Sequence, residues 1–364
     1  MPETPNAQLK KQRRLSGASR FWIGFTLLLL ALAIYTALFP GTPPQSALEA
    51  RASGSRSFDL QGHRGTRGLM PENSLPAFEK ALAVGVTTLE LDTVMTADGV
   101  VVVHHDRRLA PPRTRDASGS WIAEEGAPAI LTLSAEELAA YDIGRARPES
   151  RYAGRWPEQQ GLDGVAIPPL AAVLARAEEL SGGAIRYNIE TKISPLSPED
   201  SADPQVFAEA LLAVIRDAGV TGRAAVQSFD WRTLQAVQRQ APGIETVYLT
   251  AEQDWLDNLG RGDAEASPWI GGLAIDWAEV TLPQAIARAG GAVWSPYFRD
   301  LTDADLKEAQ QLGLRVVPWT VNDPADMASL IDLGVDGLIT DYPDRARDVM
   351  AQKGLSLPAA FPGE

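Results

Sequence analysis

The sequence has no cysteine and only three histidines among its 364 residues. The lack of cysteine excludes a disulfide scaffold and a thiolate-rich zinc site, and it agrees with an oxidising compartment without establishing one. Basic residues are also few: 33 Lys and Arg stand against 47 Asp and Glu, which gives a formal net charge of −14. Because no basic stripe interleaved with aromatics follows residues 1–20, we expect no nucleic-acid partner.

The N-terminus has the charge pattern of a membrane-targeted segment. Residues 1–20 carry five basic side chains and one acidic side chain, and the apolar run Phe21–Phe39 follows them. A helix of this length nearly crosses a hydrocarbon core of about 30 Å, so we predict a basic cytoplasmic tail at 1–20 and a transmembrane anchor at 21–40. An uncleaved or cleavable signal peptide is the second interpretation, although the nearest small-x-small site, Ala50–Ala52, lies well downstream. A buried core helix is the third, and the absence of a polar face disfavours it.

The same charge pattern predicts where the rest of the chain lies. The positive-inside rule keeps the basic tail in the cytoplasm, so the remainder is expected on the non-cytoplasmic side, periplasmic or extracellular. Residues 41–57 are rich in Pro, Gly, Ser and Ala and are predicted to form a linker. We predict one catalytic domain over 58–350 and a tail over 351–364.

From Phe58 onward, short apolar or β-branched runs alternate with amphipathic helical patterns. This repeated β-α pattern predicts an α/β protein, specifically a (β/α)8 TIM barrel. The eight runs assigned as parallel strands are FDLQG, TLELD, YNIET, AVQSF, TVYL, GLAID, VVPWT and GLIT. A further run, AVWSPY, leaves one of these assignments open. An open doubly wound sheet is the alternative, but no Gly-rich dinucleotide loop accompanies it.

Two segments interrupt the alternation. Asp98-Gly99 between two β-rich runs predicts a hairpin: a turn centred on 97–98 places Glu90 opposite His105, and a turn centred on 98–99 places Asp92 opposite His105. Either register brings His105 beside a carboxylate. The second segment, Arg107–Gly164, is polar and punctuated by Gly and Pro, and it is predicted to be an insertion over the barrel mouth with one weak helix.

Acidic residues alternate with leucines in the second predicted strand. Period-two geometry sends Leu89 and Leu91 towards the helices, and Glu90 and Asp92 into the barrel. The strand YNIET repeats the pattern and sends Glu190 inward. Buried like charges must protonate, pair with cations or bind a metal, and all-oxygen ligands favour one hard divalent ion, Ca²⁺ or Mg²⁺. The simpler alternative is an ion-pair network in which Glu90 and Glu190 pair with Arg64 and Lys192.

The three histidines lie within 43 residues of one another. His63 ends the first strand, where barrel enzymes place catalytic groups, and His105 shares a face with a carboxylate in either hairpin register. His104 points to the other face and is expected to be packed or half-exposed. A histidine pair suits general acid and base catalysis near neutral pH, and the planar Arg64 guanidinium suits a phosphate.

Several segments together resemble the glycerophosphodiester phosphodiesterase family over roughly residues 58–350. They are HRGTRGLMPENSLPAFEKAL, LELDTVMTADGVVVVHHDRRL, NIETK, QSF, PWTVN and GVDGLITDYPD. The resemblance implies a TIM barrel that hydrolyses glycerophosphodiesters to an alcohol and glycerol 3-phosphate. It also implies one Ca²⁺ or Mg²⁺ bound by Glu90, Asp92 and Glu190, and an acid–base pair of His63 and His105. Ser74, where Thr is commoner, and the extra His104 are departures that remove no catalytic group.

Other matched positions have two interpretations each. Glu72 and Asn73 are expected either to orient His63 or the ion, or to cap the helix that begins at Leu75. Lys192 is expected to contact a phosphate oxygen or to pair with the acids. Trp319 is expected to contact the glycerol or simply to pack. The QSF motif and TDYPD are expected to be structural, with Asp341 as a hydrogen-bonding residue of the rim at most.

Two other functions fit parts of this pattern. A lysophospholipase D-like activity on membrane lipids would use the predicted anchor, and exposed apolar residues near the mouth would favour it. A non-catalytic, membrane-anchored phosphate-ester binding protein would need no pair of histidines. The sequence predicts a small-molecule glycerophosphodiester as the substrate and gives no prediction of oligomeric state.

Overall fold

A computed structural model describes residues 57–263 and 265–363. The predicted tail at 1–20, the predicted anchor at 21–40 and all of the predicted linker except Ser57 lie outside these residues. Within the described ranges, no helix combines the length and the apolar character needed to cross a membrane. The described part therefore comprises the predicted barrel domain and nearly all of the tail that follows it.

Eight parallel strands form a nearly closed barrel, consistent with the predicted TIM barrel. In order around the barrel they are β1 (Asp59–Gly62), β2 (Thr88–Met95), β4 (Arg186–Thr191), β5 (Ala224–Ser228), β6 (Glu245–Thr250), β9 (Val293–Pro296), β10 (Arg315–Val316) and β11 (Gly337–Thr340). Three short strands lie outside the barrel: β3 (Val101–Val103), β7 (Glu252–Gln253) and β8 (Leu256–Asp257). β1 pairs in parallel with β11, and a backbone hydrogen bond from Ile339 N to Pro318 O (3.0 Å) joins β11 to the segment after β10.

Helices connect consecutive strands and cover the outside of the barrel. They are α1 (Leu75–Val84), α4 (Leu170–Ser181), α5 (Pro204–Asp217), α6 (Trp231–Gln240), α7 (Leu282–Arg288), α8 (Asp303–Gln311), α9 (Pro324–Leu333) and α10 (Pro343–Gln352). Two short helices, α2 (Ala135–Leu138) and α3 (Arg151–Arg155), lie between β3 and α4, and 3₁₀ turns lie at Pro111–Arg113, Ile130–Thr132, Pro198–Asp200 and Pro268–Ile270. The starts of α5 and α9 follow from local sequence, because Asp203 and Asp323 cap them and proline occupies the first turn.

Side chains alternate across the barrel wall as predicted. Leu89 and Leu91 are fully buried in the core between barrel and helices, and Glu90 and Asp92 belong to the polar interior. A separate apolar cluster inside the barrel consists of Ala225, Val247, Val293, Val317 and Ile339. Ile339 lies within β11, and Asp341 directly follows the end of that strand on the same face. The apolar cluster therefore fills the barrel interior on the amino-terminal side of the site, and the polar residues lie at the carboxyl ends of the strands.

One strand assignment is wrong. Residues 272–276 (GLAID) form no strand, and the uncertain run AVWSPY supplies β9 instead. The misleading signal is a real alternation: Leu273, Ile275 and Trp277 pack against the core, and the residues between them are exposed. This segment covers the barrel from outside, where burial of one face produces the period of a strand without hydrogen bonding to a neighbour.

The β2–β3 hairpin has a register that neither predicted turn gives. Thr93 pairs with Val103, and Thr96 N donates to Val100 O (3.0 Å), so the loop contains the three residues 97–99. Gly99 ends this loop with a φ of 80°. Three-residue loops with a left-handed last residue are a common alternative to the two-residue turns on which the prediction rested.

The direct pairing predicted for His105 is therefore wrong. The actual register brings His104 N to Asp92 O (3.0 Å), and β3 ends before either histidine. His105 reaches the site because the chain leaves the strand there, not because it faces a carboxylate across the ladder.

The segment predicted as an insertion contains little regular structure but has a core of its own. Leu109, Ile130, Leu138 and Ile143 pack with Val102 of β3 and with further apolar residues in a satellite cluster. The predicted weak helix is the single turn α2, which Ser134 and Glu137 close with a capping box. Ordered contacts from this segment to the barrel mouth, described below, make it part of the site.

The C-terminal tail packs along the opposite end of the barrel. Phe361 N donates to Leu82 O (2.8 Å), and Arg347 Nη1 donates to Pro358 O (2.7 Å). Residues 356–359 share a cavity of about 220 Å³ with Ser57 and Phe58, at the amino-terminal end of β1. The tail is therefore part of the packed structure up to Phe361.

Candidate active site

The first barrel loop folds tightly around its backbone. Arg64 and Gly65 both have positive φ, 51° and 83°, and Arg64 N donates to Glu90 Oε2 (2.8 Å). A Cβ atom on Gly65 would lie 2.6 Å from the backbone of Ala77 in α1. Only glycine fits at this position, and its absence of a side chain lets the loop seat the Arg64 amide on a carboxylate of the next strand.

Three carboxylates meet inside the barrel at the carboxyl ends of β2 and β4. Asp92 pairs in register with Glu190, and Glu90 lies two residues earlier on β2. Ligand oxygens of Glu90, Asp92 and Glu190 all lie within 4.8 Å of one another, and all three residues are buried. Burial of three neighbouring acids costs several kcal/mol for each uncompensated charge, so compensation must be close at hand.

The pKa values of the three carboxyl groups diverge. Burial raises the pKa of Glu90, and the charges of Asp92 and Glu190 raise it further. Burial also raises the pKa of Glu190, to about 7. Burial would raise the pKa of Asp92 as well, but the Arg64 guanidinium, with a smaller effect from Lys192, holds it well below its usual range. The site therefore favours fewer than three negative charges unless a cation joins it.

Cationic side chains compensate part of this charge. Arg64 Nη1 lies 2.7 Å from Glu72 Oε1, and Arg64 Nε lies 3.1 Å from Asp92 Oδ2. Lys192 Nζ donates to Glu190 Oε1 (2.7 Å) and lies 3.6 Å from Asp92 Oδ1. The ion-pair network considered as the simpler alternative is therefore present, except that the Arg64 side chain pairs with Glu72 and Asp92 rather than with Glu90.

Hydrogen bonds do not satisfy every carboxylate oxygen of the cluster. Asp92 Oδ1 is buried and accepts no hydrogen bond from any described residue, whereas its second oxygen accepts one from Asn73 Nδ2 (2.8 Å). A buried carboxylate oxygen without a donor is energetically unfavourable unless another ligand satisfies it. With an all-oxygen donor set and this free lone pair, the three carboxylates fit a hard divalent cation.

His63 is oriented by a carboxylate from the last barrel strand. Its Nδ1 lies 2.7 Å from Asp341 Oδ1, and its Nε2 lies 3.9 Å from Glu90 Oε2. Arg67 Nη2 also lies near Nδ1, at 3.1 Å, but the Asp341 oxygen is closer and a carboxylate only accepts, so Nδ1 carries the proton and Nε2 keeps its lone pair. Burial, together with the Arg67 guanidinium, lowers the pKa of His63 to about 4. The ring is therefore neutral at pH 7 and able to accept a proton at Nε2.

Asp341, expected to be a rim residue at most, is fully buried and has three partners. Arg67 Nε donates to Oδ1 (2.7 Å), and Asn322 Nδ2 donates to Oδ2 (2.7 Å). The third partner is His63, whose Nδ1 also donates to Oδ1. The Arg67 charge and these bonds outweigh burial and hold the pKa of Asp341 well below its usual range. A permanent carboxylate thus fixes the tautomer of His63.

His105 is held in the same way by a carboxylate at Nδ1. Its Nδ1 lies 2.7 Å from Asp106 Oδ1, and Arg113 Nη2 from the insertion donates to Asp106 Oδ2 (2.8 Å). Burial, with the Arg64 and Lys192 charges, lowers the pKa of His105 to about 3. Two neutral imidazoles, each held at Nδ1 by a carboxylate, therefore lie beside one acidic cluster.

His104 is packed away from the cluster. It is 1% exposed, its Nδ1 donates to Asp106 O (2.7 Å), and its Nε2 has no hydrogen-bond partner among the described residues. It supports the loop that presents His105.

Glu72 and Asn73 act on the site and do not cap α1. The N-cap is Ser74, whose hydroxyl accepts from Ala77 N (3.3 Å). Asn73, in the left-handed region with a φ of 54°, orients Asp92 through both ends of its amide. Glu72 pairs with Arg64 and accepts a hydrogen bond from Tyr152 Oη (2.5 Å) of the insertion. The capping alternative for these two residues is therefore wrong.

Gln227, in the motif expected to be structural only, contacts the cluster directly. Its Nε2 donates to Glu90 Oε1 (2.6 Å), and its Oε1 accepts from Asn188 Nδ2 (2.9 Å). Asn188 also donates to Gln61 Oε1 (2.8 Å). These buried amides fix one oxygen of Glu90. The sequence signal for Gln227 is its place at an inward-facing, period-two position of β5.

Trp319 lies at the carboxyl end of β10. Its Nε1 donates to Ser295 O (2.9 Å), and its ring packs edge-to-face on Phe229 with 5.3 Å between centroids. Lys192 Nζ lies 5.8 Å from the centroid of that Phe229 ring. Phe229 thus connects Trp319 to the charged part of the site.

Comparison with known proteins agrees with this fold. The chain matches the model of the Glycerophosphoryl diester phosphodiesterase family over residues 63–345 and belongs to that family. It is 27% identical over 318 residues to a glycerophosphodiester phosphodiesterase of Bacillus subtilis (strain 168), covering 87% of this chain and 95% of the relative. It is 25% identical over 293 residues to a glycerophosphodiester phosphodiesterase of Caldanaerobacter subterraneus subsp. tengcongensis, covering 80% of this chain and 97% of the relative.

Solved structures share the architecture. A Silicibacter pomeroyi DSS-3 protein assigned as a glycerophosphoryl diester phosphodiesterase is 37% identical, with a TM-score of 0.73 over 83% of this chain and 96% of that one. An Oleispira antarctica phosphodiesterase, solved with the product sn-glycerol-3-phosphate, shares the fold at 19% identity, with a TM-score of 0.58 over 80% of this chain and 96% of that one. The resemblance drawn from the sequence motifs is confirmed.

Proposed function

We propose that this protein hydrolyses glycerophosphodiesters to an alcohol and glycerol 3-phosphate by histidine acid–base catalysis assisted by one divalent cation. Family membership supports the reaction. The observation that carries it is the pair of neutral imidazoles, each held at Nδ1 by a carboxylate, beside three buried carboxylates.

Glu90, Asp92 and Glu190 are proposed to hold the cation, Ca²⁺ or Mg²⁺. When bound, such an ion supplies positive charge that polarises a phosphoryl oxygen and stabilises the transition state. The chain itself orients the ligands: Gln227 and the Arg64 amide hold Glu90, Asn73 holds Asp92 and Lys192 holds Glu190. The raised pKa values of Glu90 and Glu190 mean that cation binding would release protons from these groups.

Arg64 and Lys192 are proposed to bind the phosphodiester. Both side chains are about nine-tenths buried, and both lie beside the carboxylate cluster. Charge-assisted hydrogen bonds from these groups strengthen as negative charge grows on the phosphoryl oxygens. Trp319, linked to Lys192 through Phe229, is proposed to contact the glycerol.

His63 and His105 are proposed to transfer the protons, one accepting from the attacking oxygen and the other donating to the departing alcohol. In both rings Nε2 is the nitrogen that remains for proton transfer, because both Nδ1 atoms donate to carboxylates. The second function considered, a non-catalytic phosphate-ester binding protein, needs no such pair of oriented rings. The geometry therefore favours catalysis.

Release of glycerol 3-phosphate from glycerophosphocholine tests this proposal. We expect turnover by the full chain, loss of turnover with EDTA and recovery with Ca²⁺ or Mg²⁺. His63→Ala and His105→Ala are each expected to lower kcat by about 10²–10⁴-fold, the range of general acid–base catalysis. His104→Gln is the matched control, and it should retain most activity. Unchanged turnover in His63→Ala or His105→Ala would remove that residue from the mechanism.

We also propose that residues 21–40 anchor the chain in a membrane and that the catalytic domain lies on the non-cytoplasmic side. The support is the basic segment 1–20 followed by an apolar run of membrane-spanning length. The test uses two fusions after Glu364, one to alkaline phosphatase and one to a fluorescent protein that is fluorescent only in the cytoplasm. Phosphatase activity alone is the expected result, and fluorescence alone would show the opposite orientation.

A further inference from the structure

A short segment of the insertion, residues 156–160, is bonded to the first barrel loop. Gln159 Nε2 donates to Arg67 O (2.7 Å), and Gln160 N donates to Leu69 O (2.8 Å). These two bonds hold the backbone of the loop in place. We refer to residues 156–160 as the clasp.

The clasp also contacts the chain directly after Asp341. The rings of Trp156 and Tyr342 pack at a tilt with 6.3 Å between centroids. Glu158 forms an ion pair with Arg345, and the Arg345 guanidinium lies 3.7 Å from the centroid of the Tyr342 ring. The clasp therefore joins the first barrel loop to the start of α10.

Trp156 packs on the guanidinium of Arg67. The Cζ atom of Arg67 lies 4.4 Å from the centroid of the indole ring, and Trp156 is 6% exposed. A cation–π contact is strongest where both partners are shielded from water, and the Arg67 side chain is 13% exposed. The same guanidinium donates to both oxygens of Asp341, from Nε to Oδ1 (2.7 Å) and from Nη2 to Oδ2 (3.1 Å). The indole thus covers one face of the guanidinium while its edge binds the carboxylate.

The position of Arg67 decides how Asp341 meets His63. Asp341 Oδ1 accepts from both His63 Nδ1 and Arg67 Nε, each at 2.7 Å. Arg67 Nη2 also lies 3.1 Å from His63 Nδ1, although both nitrogens carry protons and neither can accept. Because that contact is unfavourable, the guanidinium must be held in place by its other partners. A displaced guanidinium would turn Asp341 away from the imidazole ring or press on the ring itself.

The insertion supports the other histidine in a comparable way. Arg113 Nη2 donates to Asp106 Oδ2 (2.8 Å), and Asp106 Oδ1 lies 2.7 Å from His105 Nδ1. In each imidazole–carboxylate pair an arginine binds the carboxylate. Arg113 comes from the insertion, and Arg67 is covered by it.

We propose that Trp156 is a positioning residue for proton transfer by His63. It holds Arg67 on Asp341, and Asp341 in turn holds the imidazole in the orientation and tautomer used in catalysis. The inference rests on the proposed function, in which His63 is one of the two proton-transfer groups. The insertion thereby contributes to catalysis through a side chain that acts by way of Arg67.

Steady-state turnover of glycerophosphocholine by the full chain, with saturating Ca²⁺ or Mg²⁺, tests this inference. Trp156→Leu is expected to lower kcat about 10–100-fold, the effect of a small misplacement of a catalytic group, and to change KM less than about twofold. Trp156→Phe keeps an aromatic face for the guanidinium and should restore kcat to within about threefold of wild type.

A double-mutant cycle tests whether Trp156 acts through Arg67. Arg67→Lys keeps the charge but loses the planar fork that binds both oxygens of Asp341, so it should lower kcat by a similar factor with KM unchanged. Residues that act as one unit have non-additive effects, so the double variant Trp156→Leu/Arg67→Lys should lose little more kcat than either single variant. Losses that multiply in the double variant would overturn the inference. Arg67→Lys leaves the indole in place, so if Trp156→Leu does not fold, an unchanged kcat in Arg67→Lys overturns it instead.

Trp121→Leu is the matched control, because Trp121 is the second tryptophan of the insertion and also packs on a guanidinium. That guanidinium belongs to Arg115, lies 5.7 Å from the ring centroid, and pairs with Asp142 and Asp163. The control should leave kcat and KM unchanged.

Several results in the single variants would also overturn the inference. An unchanged kcat in Trp156→Leu, or a loss confined to KM, would show that Trp156 does not position His63. Equal losses of kcat in Trp156→Leu and Trp156→Phe, or in Trp156→Leu and Trp121→Leu, would assign the effect to general packing of the insertion. In each of these cases turnover by the wild type leaves the proposed function intact, whereas a wild type without turnover would reject the proposed function and this inference together.

Discussion

At the scale of single residues, the site depends on side chains that position other side chains. Gln227 is the sharpest case, since its amide donates to Glu90 Oε1 (2.6 Å) from inside the barrel and is itself held by Asn188. Such supporting hydrogen bonds orient a ligand carboxylate before a cation arrives.

Gln227→Leu is therefore expected to weaken binding of Ca²⁺ or Mg²⁺ by about 10–100-fold, the usual effect of losing an outer-shell partner. Isothermal titration calorimetry on the chelator-treated protein measures this without reference to turnover. Gln238→Leu is the control, because Gln238 donates to Thr246 and Tyr248 from α6 outside the barrel. Equal cation affinity in wild type and Gln227→Leu would contradict a positioning role.

Asp341 is the second positioning residue. Asp341→Asn replaces an acceptor with a group that can also donate, so His63 loses its fixed tautomer, and we expect kcat to fall by up to about 10⁴-fold, as in catalytic triads altered in this way. KM for glycerophosphocholine should change little. Asp230→Asn serves as control, since Asp230 is fully buried and paired with Arg232 but contacts no histidine. A kcat within threefold of wild type would show that His63 needs no carboxylate.

At the scale of elements, the turns that contain Gly65 and Gly99 have different roles. Gly65 and Gly99 both have φ near 80°, but only Gly65 is crowded: a Cβ atom there would meet the Ala77 backbone at 2.6 Å, whereas nothing lies within 4 Å of the same position on Gly99. The first turn seats Arg64 on Glu90, and the second only closes a hairpin.

We expect Gly99→Ala to lower the free energy of unfolding by about 1–2 kcal/mol, the cost of a left-handed residue with a Cβ, and to leave kcat unchanged. Gly65→Ala should lower the unfolding free energy further and also reduce activity, because α1 or the loop must move. Chemical denaturation and turnover assays on both variants separate these effects. Equal losses in the two variants would show that crowding at Gly65 is relieved without disturbing the site.

The same elements show what the sequence could and could not predict. Period two is a local property of a strand, so the inward direction of Glu90, Asp92 and Glu190 was predictable from residues beside them. Hairpin register depends on whether the loop has two or three residues, and the sequence between Thr96 and Val100 does not decide between them. The cross-strand pairing expected for His105 was therefore wrong. GLAID was misassigned because packing on one face produces the period of a strand wherever it occurs.

Long-range partners were the hardest to predict. His63 and Asp341 are 278 residues apart in sequence and meet only because β1 and β11 are neighbours in the barrel. Nothing near Asp341 in the chain signals an imidazole. Gln227 was missed for a similar reason. Its partners lie on β4 and β2, and a polar residue on the inner face of a strand has no evident partner until the neighbouring strands are placed.

At the scale of the whole molecule, the carboxylate cluster couples stability to cation binding. Burial and mutual repulsion raise the pKa of Glu90 and of Glu190, so the cation-free fold retains unfavourable interactions that a cation removes. A ligand that binds only the native state at a hundred times its Kd adds about 2.7 kcal/mol to the free energy of unfolding.

We therefore expect saturating Ca²⁺ or Mg²⁺ to raise Tm by several degrees, measured by calorimetry on the chelator-treated protein. Glu190→Gln removes one of the repelling charges and keeps an acceptor for Lys192, so its Tm without cation should equal or exceed that of wild type, while the rise with cation should shrink. A full-sized rise in Glu190→Gln would exclude Glu190 as a ligand.

Ser57 and the segment 356–359 line one groove at the amino-terminal end of the barrel, so the chain enters and leaves this domain on the side away from the strand ends that carry the histidines. Attachment of this domain to a bead, a sensor surface or a fusion partner through residues next to Ser57 or Pro358 would therefore leave the carboxyl ends of the strands unobstructed. The closeness of the two ends also makes the domain suitable for circular permutation, with new termini opened in an exposed turn such as 117–119.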